Sequence, residues 1–240
     1  MVPCYNEQEV VGLTAGQLVA KLAELKTAGH IAPNSRALLV DDGSTDATWE
    51  IVCQLAREHN AVCGLRLQQN YGQQVALYAG MLEAVAQCDV AITLDADGQH
   101  DLGVVEEMLC AYSRGSEVVY AVKANPQGDP LWKRLTGRTY YRLLALWGTK
   151  TFKNHADYRL VSAQAICLLE TMPRRSVFLR SDFPKLGLPS AVVHYECKPR
   201  AAGKSKYSLG KMLSLARDGF ASTSSGQHAS TIDFAIIDRV

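Results

Sequence analysis

Short apolar runs alternate with helical stretches along the first half of this chain, and that alternation limits its fold more than any other feature. Met1-Val2-Pro3 reads as the end of a strand. A turn at Tyr5-Asn6 leads into a helix to about Ala28, with Asn6 as its N-cap. Residues 36–40, 62–67 and 90–94 read as buried strands, and the stretches up to His59 and over 72–87 read as helices. Connections this short favour parallel strands covered by helices on both faces. The expected class is therefore α/β, with a mostly parallel central sheet. Ligands of such sheets bind at the carboxyl ends of the strands. Two acidic clusters fall there, Asp41-Asp42 and Asp95-Ala96-Asp97.

The second half is less regular. Residues 101–114 suggest a helix, 117–122 a strand, 125–130 a loop and 131–147 a helix carrying aromatic residues. Residues 148–160 read as irregular and hold Asn154, His155, Asp157 and Arg159. A late strand over 191–197 precedes a basic loop over 198–206 and an amphipathic helix over 207–220. The expected layout is one domain over residues 1–224, its first strand truncated, and an atypical tail over 225–240. The tail begins with a polar stretch and suggests a fragment end or an altered reading frame.

Composition excludes several classes. With 48% apolar and 20% charged residues, a packed core is expected rather than disorder. A net charge of +1 lacks the basic excess of a nucleic-acid binder, so no nucleic-acid partner is expected. The seven cysteines are odd in number and form no C-x-x-C pair. They read as reduced, mostly buried thiols of a cytosolic domain. No secretory signal opens the chain, and no charge-free apolar run reaches the roughly 18 residues of a membrane span.

The acidic clusters carry the chemistry. Two carboxylates one residue apart repel each other at a strand end. They make sense around a cation, and hard oxygen ligands suit Mg²⁺ or Mn²⁺ shared with substrate phosphates. Asp95 and Asp97 are thus candidate metal ligands, with Gln99 as a neutral third; the plainer alternative is an acidic turn ahead of a helix. Asp42 could accept from a base or ribose, while Ser44, Thr45 or Asp46 caps the next helix. Lys198, Arg200, Lys204, Lys206 and Lys211 form a cationic cluster suited to phosphate or to an anionic membrane surface. A solvated charge run is the alternative.

These motifs resemble glycosyltransferase family 2, in the branch of dolichol-phosphate mannose synthases and bactoprenol glucosyltransferases. Val2-Pro3-Cys4-Tyr5-Asn6-Glu7 resembles V-P-x-Y-N-E, and residues 40–46 match V-D-D-G-S-x-D. Asn70-Tyr71-Gly72-Gln73 resembles N-x-G-K/Q, and residues 94–100 resemble L-D-A-D-L-Q-H. Asp157-Tyr158-Arg159-Leu160 resembles D-F-R-L, and residues 200–206 match R-x-x-G-x-S-K. Gly98 stands in place of a usual Leu, and Asp101 in place of a common Pro.

The resemblance implies a GT-A fold, Rossmann-like in its nucleotide-sugar half. It implies inverting transfer from a UDP- or GDP-sugar to a polyprenyl phosphate, in cell envelope biogenesis. By position, Pro3, Tyr5, Glu7, Val40, Asp42, Asp95 and Ala96 would line the nucleotide-sugar pocket. Asp95, Asp97 and Gln99 would hold the metal. Lys123, Arg134, Arg200, Lys204 and Lys206 would contact phosphates or acceptor. Asp157, with Arg159, would occupy the catalytic place, Asp157 either as a base or by orienting Arg159 or the acceptor. The implied location is cytoplasmic, peripheral on the inner face of the membrane, with helix 207–220 in the lipid interface. A transferase to a glycan or lipid hydroxyl, and a truncated nonenzymatic remnant, are the alternatives.

Overall fold

The computed structural model describes residues 1–124, 155–173, 176–196 and 234–240. Within them the strands are β1 (Val2–Cys4), β2 (Ala37–Asp41), β3 (Val62–Leu67), β4 (Val90–Thr93), β5 (Val118–Lys123), β6 (His155–Ser162), β7 (Ser190–Tyr195) and β8 (Ile236–Arg239). The helices are α1 (Val11–Thr27), α2 (Thr48–Glu58), α3 (Gln73–Ala84), α4 (Val105–Ser113), α5 (Ala163–Thr171) and α6 (Leu179–Lys185). A 3₁₀ turn, Leu102–Val104, leads into α4.

Two four-stranded sheets run in the orders β1-β2-β3-β8 and β4-β6-β5-β7. They meet edge to edge, because the Met1 amino group donates to the Ile92 carbonyl and the Leu94 N–H donates to the Met1 carbonyl. β1, β2 and β3 are parallel, as are β5 and β7. β6 runs against both β4 and β5, and β8 runs against β3. The α/β class is as expected; the sheets are mixed, with parallel pairing across β1–β3 and between β5 and β7 and antiparallel pairing at β6 and β8. Residues 236–239, in the stretch expected as an atypical tail, add a strand to β3.

Side chains alternate across the sheet as strand geometry requires. One face buries Leu39, Val119, Ala121, Tyr158 and Leu160 against α1, α2 and α4. The other buries Val118, Tyr120 and Val161 under α3, α5 and α6. At about 25 cal/mol per Å² of apolar surface, these two layers supply the main favourable contribution to folding.

Several local expectations are corrected. Asn6 does not cap α1; it sits in the left-handed region at φ 53° and its side chain accepts from the Thr45 N–H. The helix starts only at Val11, after a turn in which the Glu7 carbonyl accepts from the N–H groups of Val10 and Val11. Residues 155–160 are not irregular but form most of a central strand. Of the six described cysteines, all free thiols, only Cys4 is fully buried, while Cys110 and Cys167 are exposed. The expected loop at 125–130 and the helices at 131–147 and 207–220 lie outside the described residues.

Candidate active site

Because β1, β2, β3 and β4 point the same way, their carboxyl ends gather on one rim. The turns after β1 and β2 are tied together there. The Asn6 N–H donates to Ser44 Oγ at 2.9 Å, the Glu7 N–H to Thr48 Oγ1 at 2.8 Å, and Ala47 N–H to Gln8 Oε1 at 3.1 Å. Asp46 accepts from the Thr48 N–H, so it serves the first turn of α2.

Asp42 follows β2 and is only 2% exposed. Its two oxygens accept from the N–H groups of Tyr71 (2.8 Å) and Gly72 (2.9 Å), at the start of α3. Burial pushes this carboxyl up to about 6, and the two backbone hydrogen bonds pull back only part of that rise. Two glycines permit the arrangement. At Gly43 a Cβ would stand 2.3 Å from the Gln69 carbonyl carbon, and Gly72 sits at φ 93°. Neighbouring Asp41 is buried against Arg66, with Nε 3.3 Å from Oδ2, and burial raises its carboxyl too.

The acidic motif follows β4. Thr14 of α1 donates its hydroxyl to the Ala96 carbonyl at 2.7 Å, and Tyr158 of β6 donates to the Asp101 carbonyl at 3.0 Å. These bonds pin the loop at both ends. Asp95 Oδ1 accepts from Gln73 Nε2 at 2.7 Å, and its Oδ2 lies 3.2 Å from His100 Nε2. His100 is 7% exposed and packs on Tyr158 and Tyr195, with ring centroids 4.7 and 5.6 Å away. Asp97 Oδ1 accepts from the Gln99 N–H at 3.1 Å.

Asp95 and Asp97 offer carboxylate oxygens on a loop whose geometry is fixed from two sides. Among the described residues, no group of three His, Cys, Asp or Glu side chains converges to hold an ion. That donor set fits Mg²⁺ or Mn²⁺, which keep several waters and share substrate phosphates rather than sitting in an all-protein cage.

Asp157 lies beside Asp95 across the Gln73 amide. Its Oδ1 accepts from Arg159 Nη2 and from Arg180 Nε at 3.3 Å. Its Oδ2 accepts from Gln74 Nε2 at 2.8 Å, Arg180 Nη2 at 3.1 Å and Gln73 Nε2 at 3.3 Å. Asp157 is 1% exposed and Arg159 is fully buried, its guanidinium 5.5 Å from the Phe183 ring centroid. Burial lowers the basicity of Arg159, opposed by the charge of Asp157. Among the described residues, Arg159 Nε and Nη1 have no hydrogen-bond partner, and this guanidinium rests on a carboxylate and an aromatic face.

The structure brings together Asp42, Asp95, Ala96, Asp97, Gln99, Asp157 and Arg159 along or just below the rim. Pro3 lies on β1 in register with Val40, and Tyr5 and Glu7 are half-buried in the next turn. Val40 is a correction: it is fully buried among Leu65, Leu67, Ala76 and Ala79, so its side chain packs the core instead of facing a ligand. Lys123 ends β5 opposite Tyr195. Arg134, Arg200, Lys204 and Lys206 lie outside the described residues. Sequence reasoning missed Gln73, Gln74, His100 and Arg180. Gln73 and His100 sit inside recognisable motifs, but nothing in their spacing shows which side chain they touch.

This rim and its mixed sheet define a GT-A glycosyltransferase fold with an acidic site at the strand ends. The model of glycosyl transferase family 2 matches residues 1–169, and the chain belongs to that family, which makes it a glycosyltransferase by class. It is 41% identical over 224 residues to an uncharacterized glycosyltransferase of Bacillus subtilis, YkoT, covering 93% of this chain and 66% of the relative. A bactoprenol glucosyl transferase of Shigella phage SfV is 30% identical over 93% of this chain and 71% of its own length. The chain thus spans about two thirds of the length of these relatives. Glucosyl-3-phosphoglycerate synthase of Mycobacterium tuberculosis, solved with Mn²⁺, UDP and phosphoglyceric acid, superposes with a TM-score of 0.57 at 17% identity. The match covers 91% of this chain and 74% of the synthase.

Proposed function

We propose that this chain moves a sugar from a nucleoside-diphosphate sugar, a UDP- or GDP-sugar, to a polyprenyl phosphate, with inversion at the anomeric carbon. Asp95 and Asp97, with Gln99 nearby, would hold a divalent cation. When bound, that cation would act as a Lewis acid on the leaving diphosphate. The phosphate oxygen of the acceptor forms the new bond to the anomeric carbon as the bond to the nucleoside diphosphate breaks. The electron pair leaves with the diphosphate.

The observation that carries the choice of acceptor is the crowding of Asp157. Five donors from Arg159, Arg180, Gln73 and Gln74 converge on its two oxygens. Hydrogen bonds to the ionised form make a carboxylate a weaker base. A hydroxyl acceptor needs a base to take its proton. A phosphate, with a second pKa of about 6, is already ionised at neutral pH. The relatives named as bactoprenol glucosyl transferases support the same class of acceptor. The residues around Asp157 then serve to hold positive charge near two anionic substrates.

The test is transfer from UDP-glucose, in Mn²⁺, to undecaprenyl phosphate and to undecaprenol side by side. Lipid-linked sugar is expected only with the phosphate. Product from the alcohol would return Asp157 to the role of general base and refute the phosphate assignment.

A further inference from the structure

One amide nitrogen stands between the two halves of the site. Gln73 Nε2 lies 2.7 Å from Asp95 Oδ1 and 3.3 Å from Asp157 Oδ2. Gln73 is the first residue of α3, and the preceding Tyr71 and Gly72 are clamped by Asp42. The position of its side chain is therefore fixed by the same carboxylate that closes the β2 end of the rim. Gln74, the next residue, reaches Asp157 with its Nε2 and accepts from the Leu179 N–H with its Oε1 at 3.1 Å. It has no bond to Asp95. The two glutamines thus divide the work, with Gln74 securing Asp157 to α6 and Gln73 joining Asp157 to Asp95.

We infer that Gln73 is a positioning residue for the metal ligand Asp95, and that through it the metal half of the site is coupled to the Asp157–Arg159–Arg180 cluster. This rests on the proposed role of Asp95 as a ligand. A carboxylate oxygen has more than one lone pair. Donation from Gln73 occupies one direction at Oδ1, restricts rotation of the carboxylate and leaves the other direction for a cation. His100 faces Oδ2 from the far side, so the group is held at both oxygens. Partners of this kind orient ligands, and losing one typically costs about 10–100-fold in metal affinity. A glutamine suits the place because its nitrogen donates only, whereas a carboxylate there would set a third negative charge against two others.

The test is Mn²⁺ binding to the full chain with saturating UDP, read from the free-Mn²⁺ paramagnetic resonance signal. Gln73→Leu removes the donor at similar volume, and Gln73→Met keeps the unbranched length should the leucine variant fold poorly. Either is expected to raise the Mn²⁺ Kd by about 10–100-fold with thermal unfolding near that of the wild type. Gln74→Leu breaks only the Asp157 side of the network and is expected to leave the Kd within about threefold, well short of that loss. Wild-type Mn²⁺ affinity in both folded Gln73 variants would overturn the inference alone. So would an equal loss in Gln74→Leu, which would mark a general effect of packing. Failure of the wild type to bind Mn²⁺ at all would overturn the metal assignment of Asp95 together with it.

Discussion

At Asp42, burial and hydrogen bonding act in opposite directions on one carboxyl. The side chain accepts two backbone N–H groups, yet its pKa is pushed up to about 6 because so little of it reaches water. The folded-state value lies above the unfolded one, so the folded protein binds the proton more tightly. The cost of ionising Asp42 is absent below the unfolded value and accumulates as pH rises to about 6. Asn at this position presents an NH₂ to one of two N–H donors and does not titrate. Asp42→Asn is expected to lose about 1–3 kcal/mol in urea unfolding at neutral pH. Its gap to the wild type is expected to widen by roughly 2–3 kcal/mol as pH falls from 6 towards 4, at about 1.36 kcal/mol per unit. A gap that narrows over that range would contradict the raised value. Asp97 belongs to the other side of the rim. Asp97→Ala removes a charged oxygen donor from the proposed metal site, which has few protein ligands, and is expected to abolish both transfer and the Mn²⁺ dependence of UDP binding. Wild-type turnover in Mn²⁺ would remove Asp97 from the metal site.

Among the elements, β3 and β6 show what a sequence discloses. Residues 62–67 are apolar but for Arg66, lie between turns, and form a strand with those same bounds. The pattern suffices because burial on both faces is the whole reason for the strand. β6 hides itself: Asp157 and Arg159 look like loop residues and are instead at most 1% exposed. The two pair with each other within the strand, but the further donors to Asp157 come from α3 and α6, distant in sequence, so no local window could show that both are buried. α5 and α6 were not foreseen for a related reason, since α6 is short and carries Pro184 within it. The acidic motifs at the strand ends were legible because each is contiguous; the bridging position of Gln73 was not, because it depends on a contact spanning residues 73 and 157. The buried pair in β6 should also set a large part of that strand's stability. Arg159→Ala is expected to cost about 3–5 kcal/mol in chemical unfolding, by uncovering one side of a buried carboxylate. Arg159→Met, which refills the space against Phe183, is expected to cost less. Equal losses would mean that the guanidinium charge outweighs the packing.

On the scale of the whole molecule, the proposed acceptor raises the question of how a lipid phosphate would reach a rim built from polar side chains. No described helix is long and apolar enough to cross a membrane. The cationic stretch containing Arg200, Lys204 and Lys206, outside the described residues, is the sequence feature suited to an anionic surface. Near such a surface each Lys or Arg contributes about 1 kcal/mol. Three together amount to about 3 kcal/mol, a factor on the order of 100 in partitioning. The attraction acts over a Debye length of about 10 Å at 0.1 M salt, so it must weaken as salt rises. The chain is therefore expected to sediment with vesicles containing phosphatidylglycerol at low salt. Replacing Arg200, Lys204 and Lys206 together with Ala should reduce that binding by one to two orders of magnitude, about the factor above, and reduce transfer to undecaprenyl phosphate in parallel. Hydrolysis of the nucleotide sugar, which needs no lipid, should fall much less. If the triple variant loses hydrolysis as completely as lipid transfer, the stretch serves the donor diphosphate, and the acceptor must enter by another route.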